Sequence, residues 1–213
     1  AAGTPVAANY PLTGGGDGTT VTATDYTSYA TTTTSVWNEF SSINRPLVMF
    51  LPNIWSTLST GQATVIEDAI SWAGSNTRGF VVVDTAPGLT PDGAIGFAQG
   101  LGSASSRAAV YYPNVYVSDP IGRSPSALRL ISPSAGIAGL YLNTDATRGV
   151  FKAPAGLQAR IAGAVSVTPL APADLDTLNT SLAPVNAIRY IPGSGIVVMG
   201  ARTLQPGYAT LYV

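Results

Sequence analysis

An α/β layered fold, with a mixed β-sheet flanked by helices and closed by a C-terminal β-hairpin, is predicted for this 213-residue chain by three features of its sequence. Two short apolar runs, PLVMFLP (46–52) and GFVVVDTA (79–86), have the length and bounding residues of buried strands. Each is followed by a stretch with helical periodicity or helical caps. Near the end, NAIRYIPGSGIVVMGART (186–203) places two apolar runs around Gly-Ser-Gly, the pattern of a hairpin with a short turn.

Taken in order, the chain opens with a distinct segment. Its first 34 residues hold eleven threonines, two aspartates and no cation. TGGGDGTT (13–20) reads as a loop; in the stretch after it Thr22 or Thr24 can cap a helix, although a strand fits the threonine content equally well. GQATVIEDAISWAG (61–74) is an amphipathic helix with Val65, Ile66, Ala69, Ile70 and Ala73 on one stripe. TPDGAIGFAQGLG (90–102) has Thr90 as cap, Pro91 at the first helical position and Gly102 as a stop. AAVYYPNVYVSD (108–119) makes a third strand interrupted at Pro113, and a helix follows Pro133. IAGAVSVT (161–168) is a short strand, and a helical turn spans 172–178. No internal repeat and no dividing linker is found. Residues 1–213 are therefore expected to form one core domain, with 1–34 as a Thr/Gly-rich opening segment and 35–213 as the α/β core.

Composition narrows the function. The charged fraction is 10%, against about 25% in ordinary globular domains. Lys152 is the sole lysine beside nine arginines, and glutamate is confined to Glu39 and Glu67. Lysine and glutamate keep free surfaces solvated, whereas arginine is enriched where surfaces meet partners. The balance suits a protein packed among others, or a weakly charged secreted or viral protein with a Ser/Thr surface. A net charge of −1 without basic blocks gives no footprint for nucleic acid. The apolar runs are too short for a membrane span, so no membrane insertion is expected. Cysteine and histidine are both absent, which removes thiolate chemistry, the commonest general base and the Ser/His/Asp triad.

What catalytic readings remain are weak. Asp174 and Asp176 are two apart and point to different helix faces, so capping is the simpler role. GGGDG and PGSG lack the lysine and hydroxyl residue of a phosphate-binding loop. Asp84 ends a strand at a position where α/β enzymes often keep an acid, yet no second catalytic group is patterned near it; a turn-capping role is expected. No catalytic residue, cofactor or metal site is assigned. The densest charge lies in NTDATRGVFKAPAG (143–156), where Asp145 can cap a turn, Gly149 can end it and Ala153-Pro154 can stop helix continuation. Arg148 is placed to pair with Asp145, and Lys152 to reach another element or another chain.

That stretch carries a family resemblance. TDATRGVFKAPAG (144–156) and PVNAIRYIPGSGIVVMGARTL (184–204) resemble, in order and spacing, two runs of the tail sheath proteins of contractile bacteriophages. LTGGGDGTTVTATDY, RAAVYYPNVYVSDP and SPSAGIAGLYLNTD extend the likeness over residues 10–204. Three departures stand out: Asn53 where the family has glycine, Phe151 where it has tryptophan, and Ser194 where it has arginine. The resemblance implies a structural subunit that assembles helically with copies of itself around a tail tube and contracts to drive the tube through the host envelope. Baseplate and tail terminator proteins are implied partners, and the virion tail, assembled in the host cytoplasm, is the implied location. It also implies a trimmed middle portion without the family's terminal arms, expected to be monomeric by itself and to contain a helix after Asp25. Asp145, Arg148, Lys152, Arg189 and Arg202 are the candidate subunit-contact or structural-corner residues. A secreted α/β hydrolase working through carboxylates or a serine, with a pocket including Asp84, is the competing class; a capsid or tube component would require a mostly β architecture.

Overall fold

The computed structural model describes residues 15, 18–28, 35–76, 78–101, 105–122, 127–180 and 184–205. Its centre is a five-stranded sheet in the order β1-β2-β3-β7-β8, built from β1 (Leu47–Phe50), β2 (Gly79–Asp84), β3 (Ala108–Tyr112), β7 (Val185–Ile191) and β8 (Gly195–Val198). The first four run parallel and β8 returns antiparallel, so the sheet is mixed as expected. Alternate residues feed two cores. Val81, Val83, Val110 and Val185 join one cluster with the helix α3 (Gln62–Ser75) and the helix α4 (Pro91–Gly100). Val82, Tyr111, Ile188 and Ile196 join the other, with α5 (Ser134–Arg148). Burial on both faces explains why GFVVVD is continuously apolar up to its terminal aspartate.

The predicted helices form where their local chemistry directs. The α3 stripe Val65, Ile66, Ala69, Ile70 and Ala73 is buried. Thr90 Oγ1 accepts from Gly93 N at 3.1 Å, with Pro91 as the first residue of α4. The expected stop at Gly102 lies outside the described residues, as does half of the TGGGDGTT loop. In the opening segment, α1 (Ala23–Thr27) begins after Thr22, whose N–H and Oγ1 both donate to Asp25 Oδ2, at 2.7 and 2.8 Å. The helix α6 (Pro172–Thr180) is capped by Asp174, which accepts from Ala171 N at 3.0 Å.

Four features were not anticipated. Residues 108–119 do break at Pro113, but the second half, β4 (Val115–Ser118), leaves the main sheet. It pairs antiparallel with β5 (Leu128–Ile131) and β6 (Ala164–Val167) in a separate three-stranded sheet. Proline offers no N–H to the ladder, which favours a change of sheet there. β5 had no sequence signal, and Val36–Ser42 form a 3-10 helix whose start Ser35 caps by accepting from Trp37 N. A single-turn helix, α2 (Ile54–Thr57), follows Asn53.

Candidate functional site

α5 runs unbroken through the stretch where a turn at Asp145 was expected. Asp145, Ala146, Thr147 and Arg148 form its last turn, and the stop falls at Gly149, whose N–H donates to Asp145 O at 3.1 Å. Alanine and threonine sustain a helix until a residue with positive φ is required, and Gly149 has φ 93 with an extended ψ of 156. A Cβ at that position would stand 2.7 Å from the Phe151 ring. Asp145 is thus a C-terminal helix residue, not the start of a turn.

The corner that follows is held at its base and open at its tip. Arg148 Nη2 donates to Gln158 Oε1 instead of turning back to Asp145. Lys152 also folds onto its own loop, its Nζ donating to the carbonyls of Ala153 at 3.0 Å and Ala155 at 3.2 Å. Beyond it the chain lies along β8: Gly156 N donates to Val198 O, Val198 N to Ala159 O and Ile161 N to Ile196 O. The corner and the hairpin, read as separate motifs in the sequence, are therefore one piece of structure. Between the anchors, Val150 is 82% exposed and Phe151 89% exposed. Leu142 and Leu157 are exposed as well. Two large apolar side chains raised on a turn, with a lysine and an arginine beside them, make a protruding knob with the composition of an interface core.

The other two candidates lie elsewhere. Arg189, on β7, is half-buried and lines a shallow groove with Asp176, Asn179, Met199 and Gly200. Arg202 contributes its backbone: its N–H donates to Asn186 Oδ1 at 2.7 Å, and its carbonyl accepts from Asn186 Nδ2 at 2.8 Å. Asn186 Nδ2 also donates to Val110 O at 3.1 Å. Asn186, 1% exposed, ties β3, β7 and the strand exit together. It stood inside the hairpin motif, but no local pattern marked its side chain as a clamp.

Asp84 is enclosed, at 4% exposure, and burial pushes its carboxyl up to about 7 against the opposing pull of the Ser134 and Ser132 hydrogen bonds. Its Oδ1 accepts from Ser134 N at 2.9 Å, capping the start of α5, which is a variant of the capping role expected of it. Enclosed in this way, it presents almost none of its surface to solvent. Among the described residues no cluster of three carboxylate, histidine or cysteine groups could hold a metal, and no helix is long and apolar enough to cross a membrane.

No family model matches the sequence, and comparison with curated proteins gives no match. Solved structures do match. The anti-feeding prophage (AFP) helical sheath in its contracted state is 30% identical, with a TM-score of 0.53, over 68% of this chain and 36% of that one. The sheath complex of an extracellular contractile injection system, PVC, in its contracted state is 29% identical with a TM-score of 0.58, covering 82% of this chain and 46% of that one. A chain of the AFP baseplate is 25% identical with a TM-score of 0.60, covering 80% of this chain and 41% of that one. The chain therefore spans less than half the length of each of these structures.

Proposed function

We propose that this chain, a protein of the contractile sheath fold, is part of a structural subunit that assembles with copies of itself into a helical sheath around an inner tube. The observation that carries the reading is its likeness, at 29–30% identity, to two contracted sheaths, in a chain whose exposed Val150 and Phe151 crown the motif that resembles that family. An open helical array needs a different contact on several faces of each subunit. A surface with one lysine and two glutamates suits such repeated burial. Contraction is then rigid-body movement between two packings, driven by the lower free energy of the contracted lattice, and it requires no nucleotide. In this reading the tube is driven through a bacterial envelope; the tube protein, a baseplate and a terminator are the partners, and the sheath, a tail component, assembles in the host cytoplasm. The role is architectural and needs no catalytic residue, and the enclosed Asp84 supplies none of the open polar pocket that a carboxylate hydrolase requires.

Electron microscopy of the protein expressed with its tube partner tests the proposal. Sheath-like tubes of two lengths are the expected result. Failure to form tubes or rings under any assembly condition would sink it.

A further inference from the structure

Arg45, Arg78 and Arg107 stand just ahead of β1, β2 and β3, three neighbouring parallel strands. Register fixes them along one edge of the sheet: Leu47 pairs with Gly79, and Leu47 N and Val81 N donate to the carbonyls of Arg78 and Arg107, each at 2.8 Å. α5 descends to the same edge, where Lys152 joins Arg78 and Arg107 around an open groove of about 320 Å3. Its walls include Leu47, Val48, Phe80, Tyr141 and the exposed Val150; Asp145 is the one carboxylate among its lining residues. At the opposite edge, where the parallel strands end, the helix starts carry acids. Asp92 lies exposed in the first turn of α4, and Asp174 lies half-buried in that of α6. Tyr112, at the end of β3, donates to Leu89 O at 2.8 Å and feels the Asp174 charge, which puts both helix starts at this edge.

We propose that the cationic edge, with its apolar groove, docks the acidic edge of a second copy of this chain, so that successive copies stack head to tail along the strand direction. The inference rests on the sheath reading and adds the faces involved. Two different faces in contact make a heterologous interface, which propagates instead of closing into a dimer. The complementary charges set orientation, while the groove's apolar walls supply the buried area.

Charge exchange, in protein expressed with its tube partner, tests it. Arg78→Glu/Arg107→Glu places acids against acids, and Asp92→Arg/Asp174→Arg places cations against cations. Each variant alone is expected to raise the concentration threshold for assembly, followed by light scattering and microscopy, by at least about tenfold. An equimolar mixture of the two should restore filaments, because every junction then joins unlike charges; where the Asp174 change costs the α6 cap too much for folding, Asp92→Arg alone takes its place. Assembly of either variant at the wild-type threshold, or a mixture no better than its components, overturns the stacking proposal and leaves the sheath reading standing. A wild-type protein that forms no assembly even with its tube partner overturns both.

Discussion

Asp84, the last residue of β2, accepts a 2.9 Å hydrogen bond from the backbone N–H of Ser134, the first residue of α5, fifty positions further along the chain. The bond fastens the start of α5 to the central sheet. Burial has pushed the Asp84 carboxyl up to about 7 from an ordinary 3.8. Between those two values the folded protein holds a proton that the unfolded chain has released, so stability falls as pH rises through this window and levels off above about pH 7. Asp84→Asn keeps an oxygen acceptor for Ser134 and does not titrate. Denaturant titrations at a series of pH values should show a decline from about pH 4 to pH 7 in the wild type that is flattened in Asp84→Asn. Equal slopes in the two proteins would refute the assignment.

The Asn186 clamp predicts two losses. Asn186→Ala strips partners from Val110 O and from both backbone groups of Arg202, and is expected to cost about 3 kcal/mol. Gly200→Ala brings a Cβ to 2.6 Å from Asn186 Oδ1 and 2.7 Å from Asn186 Cα. Because one of those atoms is backbone, relief needs a main-chain shift, and a loss of about 1 to 3 kcal/mol is expected in chemical denaturation.

Where local chemistry decides structure, the sequence was readable. The α3 stripe, the Thr90-Pro91 start and the Gly-rich hairpin all formed as their residues direct. Asn53 shows how a departure from a family pattern can be absorbed: it takes φ 59 and ψ 18, the left-handed conformation that glycine would adopt, which asparagine tolerates better than other side chains. What stayed hidden depended on distant partners. Leu128–Ile131 is a strand only because β4 lies beside it, and Arg148 turned to Gln158 because the chain returns along β8. Neither choice is encoded within a window of a few residues. Nor could the pattern tell that Phe151 faces solvent, since an aromatic residue beside a glycine is as often buried.

At the corner, stability and assembly should separate. Arg148 and Gln158 are both exposed, so Arg148→Ala is expected to cost under about 1 kcal/mol, because water replaces the lost bond. Phe151→Ala removes a ring that is 89% exposed and should leave stability within about 0.5 kcal/mol. If the knob is an interface core, the same variant should weaken assembly strongly, since buried aromatic anchors dominate interface energetics. Thermal melts paired with sedimentation test this. A large drop in melting temperature with intact assembly would reverse the division.

The buried pair of Tyr111 and Tyr141 gives a prediction with a distinctive signature. Their hydroxyls lie 2.7 Å apart, and burial raises the pKa of each phenol above the ordinary tyrosine value, so both are neutral and one donates to the other. Tyr111 sits on β3 with no exposure and Tyr141 on α5 at 6%, so water does not readily replace a lost partner. Tyr141→Phe leaves the Tyr111 hydroxyl unpaired in an apolar setting, a cost of about 1 to 3 kcal/mol, and Tyr111→Phe does the same to Tyr141. The double variant removes both polar groups while keeping both rings, including the Phe80–Tyr141 ring contact at 5.3 Å. It should be more stable than either single variant and within about 1 kcal/mol of wild type. A double-mutant cycle by urea unfolding measures the coupling directly, and additive losses would show that the two hydroxyls do not depend on each other.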